Sequence, residues 1–195
     1  MQSVTIPSGP WAGIASAALV ALLSAGCRAD AVDRLAASGI APVYNDKTGR
    51  LEQLVSDRDG DGTKETRAFM DGAVIKYIEI DRDADGSPDR WEYYQSKPNV
   101  IDHAEEGVSV DRISRREFYA DGVIRRVVDD TDADGRPDKW EHYENGSLVR
   151  LELDLIGKGY ASQRLVYTGA GDVARIETDQ NGTGVFTRVM PSEKK

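Results

Sequence analysis

The stretch DRDADGSPDRWEYY begins at Asp81, and a near copy, DTDADGRPDKWEHY, begins at Asp130. In both copies aspartate occupies alternate positions, a glycine follows, and a short aromatic segment comes next. An alignment on the glycine of each such loop gives a repeat of about 24 residues, with a degenerate copy near Asp111 and anchors at Gly62, Gly86, Gly135, Gly159 and Gly182. The chain therefore contains roughly six copies of one small structural unit.

Each unit contains two strand-like segments joined by a tight turn. The pairs Asp-Gly at Asp71 and Asp121 and Asn-Gly at Asn145 tolerate positive φ and favour two-residue hairpin turns. The segments that follow, such as VIKYIEI from Val74, are rich in β-branched residues. The sequence thus predicts an all-β fold, an antiparallel β-hairpin repeat that forms an open or curled meander. The pattern does not distinguish an open sheet from a barrel or a sandwich.

The apolar positions of the second strand in each unit are three residues apart, as in Ile75 and Ile78. In a regular strand such a spacing places two side chains on opposite faces of the sheet. Either both faces are covered, or a β-bulge brings the two side chains to one face. The sequence leaves both explanations open.

The N-terminal segment 1–26 carries no charged side chain, and its apolar run from Ala12 to Leu23 is shorter than the roughly 20 residues of a membrane-spanning helix. It ends in SAGC, with Cys27 as the last residue. This arrangement resembles the lipobox of bacterial lipoproteins, in which the cysteine receives a lipid and becomes the mature N-terminus. The alternative is a buried cysteine at the end of a short helix.

The lipobox resemblance implies a signal peptide at 1–26 and a lipidated N-terminus and tether at 27–45. The repeat predicts a β-hairpin repeat domain at 46–190, followed by a tail at 191–195. The lipobox resemblance also implies attachment to a membrane of the cell envelope. Arg28, in place of an aspartate that would retain a lipoprotein in the inner membrane, favours the outer membrane, facing the periplasm or the cell surface. Cys27 is the single cysteine of the chain, so no disulfide within the chain is expected.

The acidic loops have the spacing of a calcium site. Calcium binds six to eight oxygens at about 2.4 Å, which requires carboxylates at alternate positions and a glycine that allows a sharp turn. The two best loops predict these ligands, with Ser87 and Arg136 acting through their carbonyls: Asp81, Asp83, Asp85, Ser87, Asp89 and Glu92; and Asp130, Asp132, Asp134, Arg136, Asp138 and Glu141.

A third loop offers Asp57, Asp59, Asp61, Thr63 and Glu65 but has Ala68 where the other two loops have a closing glutamate. Weaker calcium binding is expected there. The copies that begin at Asp154 and Glu177 have lost most of the ligand positions and are expected to be structural turns.

The spacing of the acidic loops resembles that of EF-hand calcium loops, including the glutamate at the twelfth position. The flanking segments are β-rich, however, and Pro88 and Pro137 remove a backbone N–H that paired EF-hands use. The loops are more similar to the calcium sites between strands of integrin-type repeats and to those of thrombospondin type 3 repeats. The alternative is a set of solvated Asx-type turns without a cation.

Several functions are disfavoured by composition. The net charge of -9 without a basic stripe disfavours a nucleic-acid partner. Carboxylates that recur at equivalent positions suit a repeated structural role better than one active site, so no enzymatic activity is expected. The expected function is that of a lipid-anchored, calcium-binding lipoprotein with a structural or partner-binding role, the partner being an envelope protein or a glycan.

Two other functional classes remain as alternatives. Paired carboxylates would also suit a carbohydrate-active hydrolase. The tyrosine-rich hairpin rhythm loosely resembles repeats of bacterial toxins and their immunity partners. Trp91 and Trp140 could form a sugar-binding strip or simply cover the sheet, and His103 and His142 are expected on strand faces.

Overall fold

The computed structural model describes residues 39–95 and 99–189, which form one sheet of 13 antiparallel strands. Each strand pairs with its neighbours in sequence, and β1 and β13 are the two edges. The predicted all-β hairpin meander is confirmed, and the sheet is open. The strands are β1 (Ile40–Tyr44), β2 (Leu51–Ser56), β3 (Thr66–Asp71), β4 (Val74–Ile80), β5 (Arg90–Tyr94), β6 (Ile101–Ser109), β7 (Arg112–Ala120), β8 (Val123–Asp129), β9 (Lys139–Glu144), β10 (Ser147–Leu153), β11 (Gln163–Tyr167), β12 (Val173–Thr178) and β13 (Thr187–Arg188).

The sheet starts earlier than the expected domain boundary at residue 46. Strand β1 lies within the segment assigned to the tether and pairs with β2, with Ile40 opposite Ser56. Its residues precede the first aspartate loop, so an alignment on loop glycines did not detect this strand. The segment predicted to be a signal peptide, Cys27 and the predicted tail lie outside the described residues. Within those residues no helix is long and apolar enough to span a membrane.

β-bulges explain the three-residue spacing of apolar positions. A register shift between Phe69 and Met70 places Ile75 opposite Met70 and Ile78 opposite Ala68. Those four partners are buried in a single cluster, so the bulge brings them to the same face. Comparable register shifts lie next to the turns of later hairpins. Of the two explanations that the sequence left open, the bulge is the correct one for β4.

One transverse row of cross-strand neighbours, which runs across the sheet from β2 to β9, consists of buried and half-buried side chains. In β2 to β4 this row is apolar, with Leu54, Ala68 and Ile78 almost fully buried. In β5 to β9 it alternates between glutamates and small or apolar residues, namely Glu92, Ala104, Glu117, Val127 and Glu141. The apolar core is therefore confined to the first hairpins, and charged side chains fill the same row further along the sheet.

The buried glutamates are neutralised by cations two residues earlier on the same strands. Arg90 is only 1% exposed. Its Nε donates to Glu92 Oε1 at 2.9 Å, its Nη2 donates to Glu117 Oε2 at 3.0 Å, and its Nη1 also contacts Glu106. Arg115 Nε donates to Glu117 Oε1 at 3.0 Å. The guanidinium of Arg90 thus links β5 to both β6 and β7.

Tyrosines complete this pattern two residues after each glutamate. The hydroxyls of Tyr119 and Tyr143 donate to Glu117 at 2.8 Å and to Glu141 at 2.6 Å. The hydroxyl of Tyr94 makes the corresponding bond to Glu92 at 3.1 Å. Buried charges require such hydrogen bonds because burial removes their hydration. The shared sequence pattern is a cation, a glutamate two residues later and a tyrosine two residues after that.

The opposite face carries a ladder of stacked rings across β3 to β7. Adjacent centroids lie 4.2, 6.2, 4.4 and 6.5 Å apart along the series Phe69, Tyr77, Tyr93, His103 and Phe118. These residues are direct cross-strand neighbours, and such aromatic pairs stabilise a sheet. His103 therefore lies on a strand face, as predicted.

Candidate metal centre

The acidic loops all lie at one end of the sheet, because each follows an even-numbered strand of an antiparallel meander. Five of them share one frame, in which the backbone N–H of a glycine donates to Oδ2 of an aspartate five residues earlier. The donor and acceptor pairs are Gly62 and Asp57 (3.2 Å), Gly86 and Asp81 (2.8 Å), Gly135 and Asp130 (2.9 Å), Gly159 and Asp154 (2.5 Å), and Gly184 and Asp179 (2.6 Å).

The last loop begins at Asp179, so the sequence-based frame from Glu177 is wrong. The segment contains two glycines, and it is Gly184 rather than Gly182 that occupies the turn position. Glu177 instead lies in β12 and forms an ion pair with Arg175 at 2.7 Å. The degenerate copy near Asp111 is a short turn between β6 and β7.

The Asp81 loop has the strongest features of a cation site. Asp81 is 4% exposed, and its Oδ1 is buried without a hydrogen-bond partner. One oxygen each from Asp81, Asp83 and Asp85 lie within 4.8 Å of one another. Two oxygens at about 2.4 Å from one calcium ion are at most about 4.8 Å apart, so this set fits the ion. A buried anionic oxygen without a partner is costly, and a bound cation would remove that cost.

Asp89, the predicted ligand at position 9, lies outside this cluster of three and closes the loop. Its Oδ2 accepts the backbone N–H of Arg82 at 3.0 Å. Burial raises the pKa of Asp89, and the charges of Asp83 and Asp81 raise it further, against the opposing effect of Arg82. The backbone N–H of Ser87 donates to Asp85 at 2.8 Å, which forms the turn after Gly86.

The Asp130 loop brings together a different set of three carboxylates. Oxygens of Asp130, Asp132 and Asp138 lie within 4.8 Å of one another. Asp134 lies outside this cluster, and its Oδ1 accepts the backbone N–H of Arg136 at 2.8 Å. Here the residue at position 9 joins the cluster in place of the residue at position 5.

Glu92 and Glu141 do not close the two loops, which corrects the expectation from the EF-hand frame. An EF-hand loop ends in a helix, whereas these loops end in strands that begin at Arg90 and Lys139. Both glutamates lie in the transverse row of buried side chains and bind cations and tyrosines there. Burial opposes ionisation of Glu141, but hydrogen bonds from Lys139 and Tyr143 outweigh it and hold the pKa of Glu141 below its usual range.

The Asp57 loop brings four carboxylates together and also contains the ammonium group of Lys64. Oxygens of its four acidic residues, Asp57, Asp59, Asp61 and Glu65, lie within 4.8 Å of one another. Lys64 Nζ lies 2.6 Å from Asp57 Oδ2, and this contact is the main reason that the pKa of Asp57 is lowered. The backbone N–H of Thr63 donates to Asp61 at 2.7 Å.

The two remaining loops are bound by their own backbones. Asp154 accepts the N–H groups of Ile156 at 3.1 Å and Gly159 at 2.5 Å. Asp179 accepts N–H groups from Thr183 at 3.2 Å and from Gly184 at 2.6 Å. Both carboxylates thus have a partner for each oxygen, as expected of structural Asx turns. Asp130 has comparable backbone partners, at 3.1 Å from Asp134 and 2.9 Å from Gly135, but among the described residues it also belongs to a cluster of three carboxylates, whereas Asp154 and Asp179 do not.

The suggested strip of Trp91 and Trp140 is not available as a binding surface, because Trp91 is 4% exposed. Its indole covers the sheet. The pattern of a cation, a glutamate two residues later and a tyrosine two residues after that, as in Arg115, Glu117 and Tyr119, was not recognised in the sequence. The same pattern begins at Arg90 and at Lys139, so it could have been detected as a second periodic pattern.

Comparisons with known proteins found only distant structural likenesses. No protein-family model and no curated protein matches the chain. The sheet resembles part of a glycosylation-associated protein complex from Streptococcus agalactiae, with a TM-score of 0.36, 16% identity, and coverage of 48% of this chain and 19% of that one. It also resembles part of a TarM mutant from S. aureus, with a TM-score of 0.31, 13% identity, and coverage of 57% and 19%.

A third similar structure is accessory secretory protein 1, 2 and 3 of Streptococcus pneumoniae, with a TM-score of 0.27, 15% identity, and coverage of 61% of this chain and 19% of that one. The chain thus spans 19% of the length of each of these structures. Likenesses of this extent carry no argument about function.

Proposed function

We propose that this protein is a lipid-anchored, calcium-binding β-repeat protein of the cell envelope, in which cations at the Asp81 and Asp130 loops rigidify one end of an open sheet. The observation that carries the proposal is the buried Oδ1 of Asp81, which has no hydrogen-bond partner within a cluster of three carboxylates. A divalent cation would supply the missing partner and offset the mutual repulsion of the cluster.

The role of the cation is structural. Carboxylate clusters recur at equivalent places in three loops, and each lies between two strands of one sheet. A cation held between the ends of two strands stabilises the hairpins to which they belong. The open sheet between its two edges then serves as a scaffold or as a binding surface for an envelope partner.

The expected stabilisation follows from mass action. Extracellular calcium modules bind with dissociation constants of about 0.1 to 1 mM. Calcium at a few millimolar would then stabilise the folded state by about 1 to 2 kcal/mol for each loop. For a domain of this size, two loops together correspond to a rise in melting temperature of several degrees.

Thermal unfolding in excess chelator and in several millimolar calcium tests the proposal. The wild-type protein should melt at a higher temperature in calcium. Asp85→Ala and Asp132→Ala should each remove about half of this increase, because each deletes one carboxylate of a cluster. Asp154→Ala is the matched control, since that aspartate has comparable backbone hydrogen bonds but belongs to none of the carboxylate clusters of the described residues, and it should leave the calcium response intact. Equal melting temperatures of the wild type in chelator and in calcium would contradict the proposal.

The lipid anchor rests on the uncharged segment 1–26 and on SAGC, which ends at Cys27. Attachment through Cys27 would place the repeat domain outside the cytoplasm, where calcium is plentiful enough for sites of millimolar affinity. The anchor and the calcium loops are thus consistent with the same location.

A further inference from the structure

We propose that Lys64 is the built-in counter-ion of the Asp57 loop and takes the place that calcium takes in the Asp81 and Asp130 loops. The inference rests on the proposed calcium binding of those two loops. It replaces the expectation that the Asp57 loop is a weaker calcium site. In this interpretation, the protein combines one loop that has its own cation with two loops that bind an external one.

The loops share one framework, so their differences are informative. In the Asp57 and Asp81 loops alike, the first aspartate accepts a glycine N–H five residues later. The residue at position 8 differs, being Lys64 in the first loop and proline, Pro88 and Pro137, in the other two. A cationic side chain at position 8 is therefore found in one of the three carboxylate clusters.

The hydrogen-bond partners of the first aspartate also differ between the loops. In the Asp57 loop, Oδ1 accepts the N–H of Gly60 at 2.7 Å, and Oδ2 lies 2.6 Å from Lys64 Nζ. Both oxygens of Asp57 are thus satisfied within the chain. In the Asp81 loop, Oδ1 of the equivalent aspartate is buried without a hydrogen-bond partner. In the Asp130 loop, the first aspartate accepts the N–H groups of Asp134 at 3.1 Å and Gly135 at 2.9 Å and has no ammonium partner among the described residues. The Asp57 loop is thus the one of the three carboxylate clusters in which a lysine neutralises the first aspartate.

Lys64 should also exclude a divalent ion from its loop. The ammonium group already contacts the aspartate that a calcium ion would bind, and its positive charge repels a second cation at short range. Removal of the amine would leave the carboxylates of Asp57, Asp59, Asp61 and Glu65 within 4.8 Å of one another without that cation. Such a cluster has more carboxylates than either neighbouring loop, so Lys64→Ala should create a third calcium site.

Calcium titration of chelator-stripped full-length protein, by calorimetry and by native mass spectrometry, tests the inference. The wild type should bind two calcium ions and Lys64→Ala three, with the third in the range of about 0.1 to 1 mM. Lys47→Ala is the matched control, because it removes one positive charge from a turn at the other end of the sheet, and it should bind two. Three ions bound by the wild type, or two by Lys64→Ala, would overturn the inference.

A second measurement separates this inference from the proposed function. In excess chelator, Lys64→Ala should melt at a lower temperature than Lys47→Ala, because its four carboxylates then lack any cation, and Lys64→Arg should restore the wild-type value. If the wild type binds no calcium, the proposed function fails, but this comparison still tests Lys64. Equal melting of the alanine variants in chelator would show that Lys64 does not neutralise the loop.

Discussion

Replacement of Arg90 by methionine should destabilise the protein far more than replacement of a surface arginine. The guanidinium of Arg90 is almost fully buried and contacts carboxylates on three strands, those of Glu92, Glu106 and Glu117. Methionine replaces the aliphatic part of the arginine side chain but has no charge and no donor. The variant therefore leaves buried carboxylates without their main cation.

The magnitude follows from the cost of an unpaired buried charge. Removal of one partner from a buried ion pair costs about 3 to 5 kcal/mol. Domains are stable by only about 5 to 15 kcal/mol, so this loss is a large fraction of the total. At about 2 to 4 °C for each kcal/mol in a chain of this size, the melting temperature should fall by about 6 to 20 °C.

Urea denaturation followed by circular dichroism measures this loss. Arg50→Met is the control, because Arg50 and Asp71 form an exposed ion pair with side chains 62% and 48% accessible, worth at most about 1 kcal/mol. Adding Glu117→Gln to Arg90→Met should recover part of the stability, since it removes one of the buried negative charges that lost its cation. A loss for Arg90→Met within about 1 kcal/mol of the control would refute the argument that a buried charge network holds the central strands together.

Three further predictions concern pH, anchoring and the loops. Burial, and then the charge of Arg150, lower the pKa of His142, so the unfolded chain binds more protons between the folded and unfolded pKa values. Stability should therefore fall as the pH drops from about 7 toward 5, and His142→Gln should flatten this part of a series of urea midpoints. Cys27→Ala should move the protein from the membrane fraction to the soluble fraction, and a variant that stays in the membrane would exclude lipidation at that residue. Asp134→Ala should reduce the calcium-induced rise in melting temperature less than Asp132→Ala does, because only Asp132 contributes an oxygen to the cluster.

The hairpin repeat could be predicted from the sequence because the residues that specify each turn and loop are close together in the chain. The Asp-Gly pair at Asp121 and the Asn-Gly pair at Asn145 form the predicted turns, with φ of 51° at Asp121 and 50° at Asn145. At the first hairpin Asp71 still pairs with Val74, so the loop is shifted by one residue and its positive φ, 64°, is at Gly72. Alternating aspartates and a glycine likewise determine the loop backbone through hydrogen bonds within five residues. Local chemistry of this kind needs no knowledge of distant contacts.

Where the side chains of Glu92 and Glu141 lie in the fold could not be predicted from the loop sequence alone. Whether the residue at position 12 turns toward the loop or toward the sheet depends on whether the exit segment is a helix or a strand. The strands that begin at Arg90 and Lys139 direct both glutamates to the buried row. Their bonded cations and tyrosines lie on the same strands, but Arg90 also contacts Glu106 and Glu117 on neighbouring strands. The network therefore depends on cross-strand register, which a repeat alignment does not provide.

The central claim is that calcium binds at the Asp81 loop, and a crystal structure grown in calcium tests it most directly. We expect an ion with oxygens of Asp81, Asp83 and Asp85 at about 2.4 Å, in contact with the otherwise unpartnered Oδ1 of Asp81. A second ion is expected among Asp130, Asp132 and Asp138. Asp81 Oδ1 bound only to water or to its own backbone, with no ion in either loop at millimolar calcium, would contradict the account.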